Sequence, residues 1–303
     1  MSYFLQFFMI LVISVLGCMK VTLQGRMSRR YVHQTMDGVW FNGLLFAAIT
    51  VCLSLIFPLA KPDLSSVLYA AAAGTCVVVF QTSYALALAS GPVSLTTLIV
   101  NFSVLLSAGF GMVMYGDRLY MTQLAGIAAL IVSMFLSVEK KSNEKKSQGR
   151  WLVLTFLAML GDSGISFAQR MFNATPSARL PHMDITFSVV MYLCASTLAF
   201  LFYFFSIRCK AQSKSTIGFN PRVLLYAAAI ALVLSFYQKG MMLSIANVEG
   251  TFLYPTHAGL MSLIMTLIGI LFFRDRLTNR QKWGVACGIL CVVLMNIRIG
   301  PYV

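Results

Sequence analysis

Apolar residues in this chain arrive in uninterrupted blocks, each about 20 residues long, the length that crosses a hydrocarbon core of ~30 Å at the 1.5 Å rise of a helix. Backbone polar groups in lipid must be satisfied inside the segment, so only helices or closed barrels can span it. The blocks lack the period-two alternation of barrel strands, which leaves helices. Composition agrees. Of 303 residues 59% are hydrophobic and 11% charged, with a mean hydropathy of +0.82; a soluble domain carries roughly 25% charged residues. Ten spans are expected, near 3–23, 38–60, 64–89, 93–115, 119–138, 151–172, 184–207, 222–246, 251–273 and 278–297. Pro58, Pro62, Pro92, Pro176, Pro181 and Pro221 fall between them, where a helix is free to end. The expected fold is an all-α polytopic membrane protein.

The 23 Lys and Arg against nine Asp and Glu give a formal charge of +14. They concentrate in the short connections, where they set topology and meet anionic headgroups; a nucleic-acid partner is not expected. The loops after the first, fifth, seventh and ninth spans hold most of them, which by the positive-inside rule makes that face cytoplasmic and places both termini outside. Seven cysteines, with no C-x-x-C and six of them inside apolar blocks, read as small buried hydrophobes and not as a disulfide frame or zinc site. The N-terminus has no basic n-region or small-residue cleavage site, so the first block is read as a retained span.

The two halves repeat each other. Gly116-Asp117-Arg118-Leu119 recurs as Arg274-Asp275-Arg276-Leu277 at an offset of 158, followed by Gln123 and Gly126 in one copy and Gln281 and Gly284 in the other. Leu16-Gly17 and Arg26-Met27 match Leu160-Gly161 and Arg170-Met171 at 144, and Phe80-Gln81 matches Tyr237-Gln238 at 157. The polar run 139–150 (EKKSNEKKSQGR) separates them. This divides the chain into a five-helix repeat over 1–138, a linker over 139–150 and a second five-helix repeat over 151–303. Five is odd, so the second copy enters the membrane from the opposite side, an inverted repeat with its solute site near the midplane.

The duplicated five-helix pattern and repeated acidic turn resemble the drug/metabolite transporter superfamily, in particular its ten-helix EamA-type carriers. The signature residues there are an acid, an Arg or similar, a Leu, then a Gln and a Gly. Here Asp117 and Asp275 stand where Glu is usual. The resemblance implies a secondary transporter and, against the loop charges, cytoplasmic termini.

An ionisable group inside the hydrocarbon zone costs at least ~2.5–3.5 kcal/mol on insertion scales and so faces a cavity or a partner. Asp162, between Gly161 and Gly164 in the sixth span, can bind a cationic group, pair with Lys, or gain and lose a proton; it can also be a hydrogen-bonded structural Asp. Lys239, in the eighth span, either contacts solute or snorkels to the interface. Lys20 lies nearer its span's end and is read as snorkelling. His257, behind Tyr254 and Pro255, titrates near neutral pH when unperturbed, yet a lone His is more often a packing residue. Gln81 and Gln238 are repeat-equivalent and can approach one solute from opposite sides, or simply bond neighbouring helices. Tyr84 shares a face with Gln81, and Asn101 completes the candidate solute-binding set. Asp117 and Asp275 are read as turn-fixing partners of arginines. The Gly284-x-x-x-Gly288 and Ser103/Ser107/Gly111 stripes allow close helix packing, internally or in a homodimer.

No P-loop, zincin motif, nucleophile elbow or paired metal spacing occurs. No enzymatic activity, metal or cofactor is expected. The function expected is secondary, non-ATP transport of a small metabolite such as an amino acid or related amphipathic solute, by alternating access, most simply as an exporter in the cell membrane, with a proton or counter-solute as coupling partner. Two other readings remain: a non-transporting scaffold or sensor, and an intramembrane enzyme acting on lipid-linked substrate.

Overall fold

The computed structural model describes residues 3–31, 34–90, 96, 99–100, 102–117, 120–137, 148–209, 215–218, 220–273 and 279–297. Ten α-helices and no β-strand occur among them. They are α1 (Tyr3–Tyr31), α2 (Thr35–Ile56), α3 (Leu64–Ser90), α4 (Ser103–Tyr115) and α5 (Met121–Ser137) in the first half, then α6 (Gln148–Asn173), α7 (Met183–Arg208), α8 (Pro221–Asn247), α9 (Gly250–Phe273) and α10 (Asn279–Asn296). Each expected span has its helix. Six of them (α1, α2, α3, α6, α7 and α8) are long and apolar enough to cross a membrane, while α4, α5 and α10 carry shorter apolar stretches. The sequence linker 139–150 is only partly described, and α6 already begins at Gln148 inside it. Asn101 and the second acidic turn at 274–277 lie outside the described residues.

The surface is inside-out relative to a soluble protein. Phe4, Leu55, Val113, Phe205 and Leu225 are each at least 70% exposed, whereas Asp37, Gln123, Gln169 and Gln238 are buried. Apolar surface on this scale demands an apolar solvent, and the chain is a multi-pass membrane protein.

Helix contacts run mainly between the halves. Helix α1 packs on α8 and α9, and α6 packs on α3 and α4. Helices α2 and α7 pack on each other, α2 also on α8 and α7 also on α3; α4 meets α9, and α5 meets α10. Exchanging each helix with the one five places along maps these principal between-half pairs onto one another, while α9 also packs on α10 within its own half.

Small residues make the approaches possible. A Cβ on Gly161 would fall 2.8 Å from the backbone nitrogen of Phe80, and one on Gly74 would fall 2.5 Å from the carbonyl oxygen of Met191, so α3 is clasped at backbone distance by both α6 and α7. A Cβ on Gly17, matched to Gly161 in sequence, would meet the Met261 sulfur at 2.8 Å and the Tyr237 ring at 3.4 Å. The Gly284/Gly288 stripe is filled from within the chain: Ser133 Oγ donates to the Gly284 carbonyl at 2.6 Å, and a Cβ on Gly288 would meet the same hydroxyl at 3.1 Å. The largest buried cluster joins α2, α3, α7 and α8 around Phe41, Leu45, Ile49, Phe187 and Ile230, with Phe172 stacked on Phe187 at 4.3 Å.

Loop contacts also cross between halves. Asp63, just before α3, accepts hydrogen bonds from Ser65, Ser66 and, at 2.8 Å, from Ser177 in the α6–α7 connection. Those hydroxyls hold its carboxyl well below the usual carboxylate range. At the start of α2 the buried Asp37 receives the Ser215 hydroxyl at 2.8 Å and the Thr216 N–H at 2.7 Å from the α7–α8 connection.

A polar cavity between the two halves

Asp162 is held by its own helix and by α4. Ser103, the first residue of α4, donates its hydroxyl to Asp162 Oδ2 at 2.5 Å, and the Ser163 hydroxyl points to the Ser103 carbonyl at 3.3 Å. The carboxylate lines a cavity of about 160 Å³ bounded by α1, α2 and α3 on one side and α6, α7 and α8 on the other. Along α6 the wall continues through Ile165, Ser166 and Gln169. Lys20 of α1 lines the same cavity and forms no salt bridge with a described residue. Asp162 and Lys20 thus place one acidic and one basic side chain, one from each half, on the same cavity.

Amide and phenol groups complete the lining. Gln81 from α3 and Gln238 from α8, matched between the halves in sequence, both line the cavity. Gln238 is itself tied down: it donates to Ser188 Oγ at 3.3 Å and accepts from the Tyr192 hydroxyl at 3.4 Å. Tyr192 and Tyr237 line the wall together with Phe46, Phe80 and Met241. The result is a mixed surface, apolar over most of its area, with a few fixed polar groups, as small-molecule sites usually are. An engineered cavity of about 150 Å³ admits benzene, so this volume suits a solute of roughly six heavy atoms.

The other sequence candidates fall into a second layer or elsewhere. His257 lies behind the wall, its ring nitrogens within 2.8 Å of Ser14 Oγ and 3.3 Å of the Tyr237 hydroxyl, so it fixes a cavity tyrosine without lining the cavity. Tyr254 donates to the Ser166 carbonyl at 3.5 Å and plays the same supporting part. Tyr84 stacks on Phe80 at 5.8 Å, beside the lining. Lys239 does not join the site: it is ion-paired with Asp184 at the start of α7, and its side chain is 35% exposed. The lysine of the cavity is Lys20, read from sequence as snorkelling. Sequence reasoning also missed Ser166, Gln169 and Tyr192; spacing of four and seven from Asp162 on one helix could have found the first two.

Asp117, expected to fix a turn beside an arginine, does so across the molecule. Gly116 caps α4 in the left-handed conformation at φ 63°, which suits glycine. The chain reverses there and brings Asp117 to Arg170 at the end of α6, 2.9 Å away. Asp275, its repeat counterpart, lies outside the described residues.

Comparison with known proteins places these observations. A solved crystal structure of another protein superposes with a TM-score of 0.72 over 97% of this chain and 96% of its own, at 12% identity, which shows a shared fold; it is one of 28 matching chains. No curated protein matches the sequence. The model of the EamA-like transporter family matches residues 7–139, the segment that holds α1 to α5. The matched segment is similar to the EamA-like transporter family, the resemblance within the drug/metabolite transporters that the repeated acidic turns implied.

Proposed function

We propose that the chain is a secondary carrier that moves a small zwitterionic or amphipathic metabolite, an amino acid being the simplest case, by alternating access of the cavity between its halves. One observation carries this reading: Asp162 and Lys20, from opposite halves, line a single cavity with Gln81 and Gln238. An ammonium group fits against Asp162 and a carboxylate against Lys20, while Phe46, Phe80 and Met241 receive the apolar remainder. We take Asp162, Lys20, Gln81, Gln238, Tyr192 and Tyr237 as the solute-binding set, with His257 and Tyr254 behind them.

The repeat boundaries stay at 1–138 and 151–303, joined by 139–150. Two five-helix units that enter the membrane from opposite sides account for the exchange symmetry of the helix contacts. They also put the Asp63–Ser177 and Asp37–Thr216 contacts on opposite faces. Rocking of one unit on the other would open the cavity to each face in turn. Transport runs as export across the cell membrane, with a proton or counter-solute as coupling partner. The Gly284/Gly288 stripe serves internal packing, so we assign no role to a homodimer.

The test is a panel of labelled amino acids and related zwitterions in vesicles containing purified protein. We expect saturable flux of at least one compound of about the cavity's size. Asp162→Asn should lower that flux at least tenfold while the protein still inserts and binds detergent normally. Flat traces across the panel, or full flux in Asp162→Asn, would remove this reading.

A further inference from the structure

Arg170 directly follows Gln169, a residue of the cavity wall, and its ion pair with Asp117 draws on both halves. Asp117 Oδ2 lies 2.9 Å from Arg170 Nη2, and Oδ1 accepts from the same nitrogen at 3.1 Å. The carboxylate also receives the backbone N–H of Gly250, the first residue of α9, at 2.8 Å. The Arg170 guanidinium lies 5.2 Å from the centre of the Tyr115 ring. Gln169, the residue before Arg170, and Ser166, one turn further back on α6, line the cavity. The pair is shut in, with side chains only 7% and 12% exposed.

Two glycines are shaped to this pair. A Cβ on Gly111 would come within 2.5 Å of Asp117 Oδ2, and a Cβ on Gly250 within 1.8 Å of Arg170 Nη1. Yet the closed arrangement leaves groups unsatisfied: Arg170 Nη1 and the Tyr115 hydroxyl are both buried with no hydrogen-bond partner among the described residues. Buried unpaired donors raise the free energy of the state that contains them. A contact built only to fix a turn has no reason to keep such orphans. A contact that must break and re-form does, because opening to water hydrates both donors and lowers the difference between the two states.

We infer that the Asp117–Arg170 pair, closed on the Gly250 N–H, is a gate that seals the cavity on the face of the α4–α5 turn and parts when that face opens. The inference rests on the carrier reading above, since a protein that never exposes the cavity needs no gate. A gate must release α4, α6 and the start of α9 together, and the Asp117 carboxylate, at the end of α4, contacts both Arg170 of α6 and Gly250 of α9.

The experiment uses the full chain in vesicles, with its seven natural cysteines replaced. In Asp117→Cys/Arg170→Cys, a short bifunctional thiol reagent should cut solute flux more than tenfold, and a reductant should restore it. In a separate Ser166→Cys reporter, labelling by a membrane-impermeant thiol reagent from the gate's face should speed up severalfold when Asp117→Asn is added. Gly250→Ala, which displaces the guanidinium and keeps both charges, should do the same. Flux unaffected by the cross-link, or reporter labelling unmoved by both gate variants, overturns the gate. The labelling arm needs no solute: absent flux in the unlinked protein counts against the carrier, and labelling still decides the gate.

Discussion

Gly161 shows how little room single residues have in this molecule. The atoms that a Cβ would meet there are the backbone of Phe80 and the carbonyl of Cys76, not the yielding end of a side chain. Gly161→Ala should therefore push α3 and α6 apart and destabilise the protein by about 1–3 kcal/mol. Gly109→Ala, on α4 with open space around it, should leave stability unchanged or slightly raised through better helix propensity. Thermal unfolding in one detergent compares the two, and equal melting points would refute the close approach. Position also separates the lysines: Lys20 and Lys239 have the same chemistry, but one shares a cavity with Asp162 and the other a surface pair with Asp184. Lys20→Ala should abolish flux of a zwitterion, and Lys239→Ala should retain most of it, as initial rates in vesicles will tell.

At the scale of elements, the connections clamp helix ends across the halves. Asp37→Asn removes the carboxylate that holds Ser215 and Thr216, and weakening those charge-assisted contacts should cost about 1–3 kcal/mol of stability. Asp63 adds a pH dependence with a defined sign. Its carboxyl is held below the ordinary value by Ser65, Ser66 and Ser177, so it stabilises the folded state fully above the unfolded carboxylate value of about 3.9 and loses that contribution as pH falls further. The melting-point gap between the natural protein and Asp63→Asn should thus be constant from pH 5 to 8 and narrow below about pH 4. A gap that widens on acidification would reverse the assignment.

For the whole molecule, the exchange symmetry of the contacts makes a topological claim. If the halves enter the lipid from opposite sides, cysteines placed at Lys61 and Arg179 should react with an impermeant reagent from one side, and a cysteine at Ser213 from the other. Labelling of all three from the same side would break the inverted arrangement and the carrier mechanism with it. The same symmetry explains why α3 and α8 are central: each supplies a repeat-equivalent glutamine to the cavity wall, and each packs against helices of the opposite half.

The existence and order of the ten helices were legible in the residues alone, because the thickness of a bilayer converts directly into the length of an apolar block. The sequence match of Phe80-Gln81 with Tyr237-Gln238 singled out two glutamines that both line the cavity, and Asp162 stood out because a carboxylate has no tolerable place in lipid without a cavity or a partner. What the residues could not fix is the rotation of each helix about its axis. A helix in water announces its buried face by its apolar stripe, whereas a helix bathed in lipid is apolar all round. Only packing decided that Lys20 turns inward and Lys239 outward, that His257 stands behind Tyr237, and that Asp117 reaches past its own turn to close on Arg170. Packing of this kind, such as the backbone approaches at Gly74 and Gly161, depends on pairs of residues far apart in the chain.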